Sequence, residues 1–254
     1  MIRASTTAAL LALLAAACSN PVPRAGVEVG TAVVDTTGTG PSPAVVEEPE
    51  TPGDDTVIDP PPEPREWTLA IQPLGEVDGE SLETVENIIR DAYGWHVVRL
   101  EPQPHPEEAW YEPRKRWRAE IILDWLGPRL PEDADRIMAV TRKDISTTKG
   151  DIYDWGICGL AEMGGPASVV STYRIKKKMG KIGKKERKAK YLQRLRDLSA
   201  HEFGHTLGLP HCPNVGCIME DAKGTVLTFD GSSGRLCDEC LEKLALWGYE
   251  MPED

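Results

Sequence analysis

The chain has 254 residues, of which 40% are hydrophobic and 28% are charged, and its formal net charge is −12. These proportions are ordinary for a globular protein, so they exclude disorder along the whole chain. No apolar run reaches the roughly 18 residues that a membrane-spanning helix needs, so no transmembrane helix is predicted. The negative charge argues against a protein that binds nucleic acid.

Residues 1–17 have the pattern of a secretory signal peptide. Arg3 precedes an apolar run that ends in small residues and is too short to span a bilayer. The small residues before Cys18 resemble the bacterial lipobox. This resemblance implies that Cys18 is lipidated and anchors the chain as an extracytoplasmic membrane lipoprotein of the cell envelope. Ordinary cleavage near Ala17 is the alternative.

Residues 18–66 form a segment of different composition. It contains ten prolines and ten acidic residues against two basic ones, and it has no aromatic residue. Such a segment cannot bury a core, so it is predicted to be a disordered tether that follows the lipidated cysteine. A folded domain is predicted for residues 67–254.

Hydrophobic periodicity divides this domain into strands and helices. In residues 80–93, Leu82, Val85 and Ile89 fall on one helical face. Strands are predicted at 67–72, 95–100, 136–141 and 167–173, and helices at 80–93, 113–126, 185–207 and 236–249. Because strands and helices alternate early in the domain, we expect a mixed sheet with helices packed on it.

Residues 201–211 read HEFGHTLGLPH and hold three of the five histidines. On a helix, His201 and His205 lie one turn apart on the same face and can bind the same ion. Gly208 can adopt a positive φ and Pro210 cannot continue a helix, so the chain is predicted to turn here. The turn would bring His211 back as a third ligand.

These residues predict a catalytic zinc site. Three neutral imidazoles leave a fourth coordination position for water, and zinc lowers the pKa of that water to about 7. Glu202 lies beside the histidines and is the predicted general base, which takes a proton from the zinc-bound water and passes it to the leaving amine. The predicted reaction is hydrolysis of a peptide bond.

The spacing of possible metal ligands extends beyond this segment. H-E-x-x-H-x-x-G-x-x-H resembles the metzincin zinc signature, and ten positions together resemble the extended motif of the archaemetzincin family. They are His201, Glu202, His205, Gly208, His211, Cys212, Cys217, Met219, Cys237 and Cys240. The resemblance covers about 67–250 and leaves the leader and the tether unmatched.

The resemblance implies an α/β (α+β) fold, in which a mixed twisted sheet with backing helices is joined to an active-site helix and a small zinc-stapled C-terminal subdomain. It also implies a metallopeptidase with two zinc ions, acting on peptides or proteins. Met219 would be the apolar Met-turn residue beneath the catalytic zinc. The structural zinc would be held by Cys212, Cys217, Cys237 and Cys240. Asp221 stands where some metzincins have a tyrosine.

Other interpretations of these residues stay open. Exported cysteines usually pair, so disulfides are an alternative to zinc at the four cysteines. Zinc could also serve only to hold shape, which would make the protein a non-catalytic, zinc-stabilised envelope lipoprotein that acts as a binding module. Cys158 lies outside the motif and is predicted to be a small buried residue.

Residues 174–196 hold twelve basic side chains and one acidic side chain. Their simpler interpretation is a solvated loop and helix surface, and contact with an anionic surface is the other. His96 and His105 are predicted to be structural. Candidate sheet edges for binding an extended substrate are 169–171 and 164–165. We expect a monomer that binds no nucleic acid.

Overall fold

The computed structural model describes residues 66–223 and 225–252. The predicted signal peptide, Cys18 and nearly all of the predicted tether lie outside this part of the chain. Within it, no helix combines the length and the apolar character that crossing a membrane requires.

Nine strands and five helices are described. The strands are β1 (Thr68–Leu74), β2 (His96–Arg99), β3 (Trp110–Tyr111), β4 (Arg116–Arg118), β5 (Arg136–Thr141), β6 (Ile145–Lys149), β7 (Ile152–Ile157), β8 (Gly159–Ala161) and β9 (Ala167–Ser171). The helices are α1 (Gly79–Tyr93), α2 (Ala119–Leu126), α3 (Thr172–Ile175), α4 (Lys184–Thr206) and α5 (Asp238–Leu246).

The main sheet has the strand order β2-β1-β5-β9-β8. Its first four strands are parallel, and β8 runs antiparallel to β9 at the edge. The four strands predicted from periodicity are the four parallel strands of this sheet. The mixed α/β architecture predicted from the sequence is therefore confirmed.

Alternate residues of the central strands pack into two cores. Ile71, Met138 and Val170 face α1 and α4, whereas Ala70 and Val169 face α2 on the other side of the sheet. Parallel strands buried on both faces read as continuous apolar runs, which is why the sequence indicated them clearly. The carboxyl-terminal half of α4, from Arg194 to Thr206, is buried against the first of these cores, except for Arg196.

A second sheet, of order β3-β4-β6-β7, was missed in the sequence. The helix predicted at 113–126 was wrong in its first half, since β4 occupies that stretch and α2 begins only at Ala119. Here Arg116 points to Asp144 and Asp154, at 3.0 and 2.6 Å. These long-range ion pairs and the pairing of β4 with β6 override the local helical pattern.

Candidate active site and cysteine cluster

The histidine segment lies at the end of α4, and the chain turns directly after it. The helix ends at Thr206, and Gly208 follows with φ of +96°. The backbone N–H of Leu209 donates to the carbonyl of Gly204 at 3.0 Å, which closes the turn. This geometry is the turn predicted from Gly208 and Pro210, and it returns His211 toward the helix.

The structure brings the three histidines together. The Nε2 atoms of His201 and His205 are 3.1 Å apart. The centre of the His211 ring lies 5.3 Å from the centre of the His201 ring and 4.9 Å from that of the His205 ring. The Nδ1 atoms of His201 and His205 lie 2.8 and 2.7 Å from the carbonyl oxygens of Ile218 and Leu209. Because a carbonyl oxygen can only accept, each Nδ1 carries the ring proton and donates it. The lone pair of each Nε2 is then free to bind an ion.

The electrostatics of the cluster also suit a metal. Burial, together with the neighbouring His205, lowers the pKa of His201 to about 4, and burial lowers the pKa of His205. Both rings are therefore neutral at pH 7, as metal ligands must be. Two nitrogens on one tetrahedral zinc ion are about 3.3 Å apart, close to the separation of the two Nε2 atoms.

Glu202 is buried between the histidines and the edge of the main sheet. A Cβ built on Gly159 of β8 would lie 2.5 Å from Glu202 Oε1, so only glycine leaves room for the carboxylate. Burial raises the pKa of Glu202 to about 8. A cation held by the histidines would oppose that rise and favour the ionised form.

The edge beside Glu202 differs from the predicted one. Residues 169–171 belong to β9, which lies between β5 and β8 and is buried. The exposed edge is β8, which is only three residues long and contains two small residues, so its sequence carries little strand signal. Gly164 does contact the site, since its N–H donates to the carbonyl of His205 at 2.9 Å.

Met219 forms an apolar floor under the end of α4. It is fully buried, and a Cβ built on Gly204 would lie 2.5 Å from its sulfur and 3.0 Å from the hydroxyl of Tyr93. The Tyr93 hydroxyl donates to the carbonyl of Ala200 at 2.7 Å. Gly204 thus allows the histidine helix to rest directly on the methionine, a role the sequence analysis missed.

The four motif cysteines form a second cluster. The sulfurs of Cys212 and Cys237 are 3.6 Å apart, and those of Cys217 and Cys240 are 3.9 Å apart. Two sulfurs on a tetrahedral zinc ion are separated by about 3.8 Å. All four are free thiols in this structure, and their ligand atoms lie within 4.8 Å of one another. The donor set fits zinc.

The cysteine cluster joins two parts of the chain. Cys212 and Cys217 flank the turn after His211, and Cys237 and Cys240 begin α5. For Cys237, burial alone would raise the thiol pKa, but hydrogen bonds from the Asn214 amide, the backbone and the other thiols outweigh it and bring the pKa to about 7. Such donors favour a thiolate at Cys237, the form that binds zinc, whereas burial raises the pKa of the Cys217 and Cys240 thiols.

Two further residues lie close to the site. Asp221 Oδ1 is 4.0 Å from Nδ1 of His211, so the residue at the position of a metzincin tyrosine faces the third histidine. Cys158 connects β7 to β8 and is half-buried, and burial raises its thiol pKa to about 11, so it is a protonated side chain at neutral pH. It was predicted to be buried, and the structure places it half-buried against the first core.

The chain is similar to known proteins over the region that forms this site. The model of peptidase family M54 matches residues 132–246. An archaemetzincin of Haloarcula marismortui is 34% identical over 171 residues, which is 67% of this chain and 95% of that protein. An archaemetzincin of Haloquadratum walsbyi is 30% identical over 171 residues, which is again 67% of this chain and 95% of that protein.

Solved structures agree with these matches. The archaemetzincin of Archaeoglobus fulgidus, crystallised with malonate, has a TM-score of 0.57 at 28% identity, covering 70% of this chain and 99% of that one. The archaemetzincin of Methanopyrus kandleri has a TM-score of 0.60 at 25% identity, covering 72% and 97%. The chain therefore belongs to the archaemetzincin family, peptidase family M54, and is a zinc metallopeptidase.

Proposed function

We propose that this metallopeptidase hydrolyses peptide bonds at the three histidines, with Glu202 as the general base. The observation that carries the proposal is the position of Glu202, which is buried next to His201 and against the edge strand β8. A zinc ion held by His201, His205 and His211 would polarise a substrate carbonyl and make a water molecule more acidic. Side chains of the protein and atoms of the substrate carry out the remaining steps of the reaction.

In the proposed reaction, Glu202 removes a proton from the attacking water, whose oxygen bonds to the carbonyl carbon. When the carbon–nitrogen bond breaks, the carboxyl group of Glu202 gives that proton to the departing amine. Gly159 leaves the carboxylate space beside β8, and Met219 and Gly204 hold the histidine helix in place beneath it.

The substrate backbone is proposed to pair with β8. This strand is the edge of the main sheet on the side of the histidines, and its Gly159 touches the carboxylate that carries out the proton transfer. An extended peptide added to an edge gains main-chain hydrogen bonds along the strand. A peptide bond of a substrate bound in this way would lie next to the three histidines and Glu202.

The test compares full-length wild type, Glu202→Gln and Glu186→Gln at matched zinc content on a peptide library read by mass spectrometry. Glu186 is an exposed glutamate on the same helix, so its variant controls for loss of one charge. We expect Glu202→Gln to lower kcat/KM by roughly 100- to 10,000-fold, with Glu186→Gln unchanged. Retained cleavage by Glu202→Gln would refute the proposed base. Absence of cleavage by any of them would favour the non-catalytic binding module.

We also propose two zinc ions per chain, one at the histidines and one at the cysteines. The separations within both clusters support this count. Metal analysis by mass spectrometry should give two zinc ions for wild type and one for His205→Ala. A value of one for wild type would contradict the proposal.

Anchoring by lipid at Cys18 and a location in the cell envelope stay proposals from the leader sequence. Fractionation of cells that express wild type or Cys18→Ala tests them. We expect wild type in the membrane fraction and the variant released from it. Equal distribution of the two would refute a lipid anchor.

A further inference from the structure

A basic groove lies on the side of the molecule where β4 begins and β5 and α3 end. Its volume is about 1030 Å³. Six basic side chains line it against two acidic ones, Glu107 and Asp144. The basic residues are Arg114, Lys115, Arg116, Arg142, Lys143 and Lys177. In a chain with a net charge of −12, this concentration of positive charge requires an explanation.

Part of this charge is already used within the fold. Arg116 is paired with Asp144 and Asp154, and Lys115 with Glu112. By contrast, Arg142, Lys143 and Lys177 pair with no carboxylate among the residues described, so their charges remain available. The walls between them are aromatic: Trp110, Trp117 and Tyr173 line the groove. Exposed cations above aromatic walls suit an extended chain that carries negative side chains.

A short series of contacts connects the groove to Glu202. Glu202 touches Gly159. The residue before Gly159 is Cys158, whose backbone carbonyl accepts a hydrogen bond from the Ser171 N–H at 2.7 Å. The Ser171 hydroxyl in turn donates to the carbonyl of Lys143 at 2.5 Å. Lys143 is in the groove.

Arg174 reinforces the same connection. It binds Asp144 through two hydrogen bonds of 2.6 and 2.9 Å, and its guanidinium occupies the space that a side chain at Gly156 would need. Gly156 of β7 lies three residues before Gly159 of β8, and three residues span at most about 10 Å. The groove therefore begins within the reach of a peptide bound at β8.

We propose that this groove binds acidic side chains of the substrate on the carboxyl-terminal side of the cleaved bond. The inference rests on the proposed pairing of substrate with β8. Antiparallel pairing, the slightly more stable arrangement, directs the carboxyl-terminal part of the peptide toward the start of β8, where the groove lies. At about 3.3 Å per residue, acidic residues roughly two to four positions after the cleaved bond reach Lys143, Arg142 and Lys177.

A peptide fits this surface better than a bilayer does. The three available cations lie in a groove, and a flat membrane cannot follow aromatic walls into it. The exposed lysines of α4 and of the loop before it offer a more open surface to a bilayer. The site thus selects a narrow, extended, acidic ligand.

The experiment uses the full chain with zinc bound and two labelled peptides that differ only in having three Glu or three Gln after the cleaved bond. The groove variant is Arg142→Glu, Lys143→Glu and Lys177→Glu together. The control is Lys181→Glu, Lys184→Glu and Lys185→Glu, which changes the net charge equally at exposed residues outside the groove. Binding is measured by fluorescence anisotropy in the Glu202→Gln background, and cleavage is measured in the active protein.

We expect wild type and control to prefer the Glu peptide by about 10-fold in Kd and kcat/KM, consistent with a few solvent-exposed charge pairs. The groove variant should lose or invert that preference. Equal binding of both peptides by wild type would overturn the proposal, as would an equal loss in the control. So would a groove variant that loses only its binding to vesicles of phosphatidylglycerol and phosphatidylcholine.

The binding assay separates this inference from the proposed function. If Glu202→Gln still cleaves, the proposed base is wrong, yet selective binding of the Glu peptide would still support the groove. If cleavage depends on Glu202 but ignores the Glu residues, the base stands and the groove proposal fails.

Discussion

The histidine and cysteine clusters lie within forty residues of sequence but differ in access. His201 and His205 are 4% and 8% exposed, and the side chain of His211 is 51% exposed. Cys212, Cys217 and Cys240 are 5% exposed or less, and Cys237 is half-buried. One cluster is therefore open on the side of its third ligand, and the other is nearly enclosed. Open three-ligand sites are typical of catalytic zinc, and enclosed four-thiolate sites of structural zinc.

The neighbours of the two clusters differ as well. The carboxyl group of Glu202, the proposed general base, lies beside the histidines. The thiols instead receive hydrogen bonds, from the Asn214 side chain to Cys237 at 3.3 Å and from the Cys237 N–H to Cys217 at 3.4 Å. A base supports bond cleavage, whereas donors stabilise thiolates. The proposed function thus assigns chemistry to the histidine cluster and structural support to the cysteine cluster beside it.

The largest effect should come from Cys240→Ser. Loss of one thiolate should remove one zinc ion and lower Tm by on the order of 10 °C, because metal binding contributes directly to folding. Metal analysis and calorimetry check this, with Cys158→Ser as the matched control because that thiol lies outside the cluster. A Tm equal to that of wild type would mean that the cysteine cluster does not support the fold.

Gly159→Ala should affect the histidine site alone. The added methyl group would meet the Glu202 carboxylate, and displacement of a catalytic group by about 1 Å can cost roughly 100-fold in rate. We expect kcat/KM to fall by roughly 10- to 100-fold while zinc content stays constant. Gly127→Ala, where nothing lies within 4 Å of the new methyl, should leave the rate unchanged. If Gly159→Ala had normal activity, β8 would not be part of the active site.

Asp221→Asn should weaken zinc binding at the histidines by less than about 10-fold. Carboxylates that orient metal-binding histidines typically contribute 10- to 100-fold, but this pair is exposed and 4.0 Å apart. Competition with a chelator measures the affinities of both sites separately. If the affinity of the cysteine site falls instead, Asp221 acts on the fold and not on His211.

The last prediction concerns acid stability and separates titration of the protein from loss of metal. Burial, with a further contribution from Lys143, lowers the pKa of His105 to about 4. In the unfolded chain this imidazole has a pKa near 6.5, so between pH 6.5 and 4 it binds a proton that the folded protein does not bind. The contribution of neutral His105 to the free energy of unfolding is therefore fully present above pH 6.5 and declines as the pH falls toward 4.

The matched variant for that titration is His105→Gln, which keeps a polar group near the Thr141 hydroxyl, now 2.6 Å from His105 Nε2. Urea unfolding at pH 7 and pH 5 should show a smaller loss of stability in the variant than in wild type. An identical loss would place the acid sensitivity elsewhere, for instance at the metal ligands.

Much of the fold could be predicted because its local and global signals agree. β5 was predicted with the bounds it has, and α1 and α4 differ from prediction by one residue at each end at most. The second sheet and β8 could not be predicted, since their strands are short and depend on distant partners. The pairing of β4 with β6 and the ion pairs of Arg116 exist only in the folded chain.

The sequence alone determined the composition of both clusters, because ligand type and spacing are local properties of residues 201–240. It also determined the turn after α4, since Gly208 and Pro210 restrict the backbone directly. Only the tertiary structure decided what surrounds those ligands. The fit of Gly159 against Glu202, the floor formed by Met219 under Gly204 and the groove beside β8 all join residues far apart in sequence. Such contacts depend on packing and on sheet order, which no local pattern encodes.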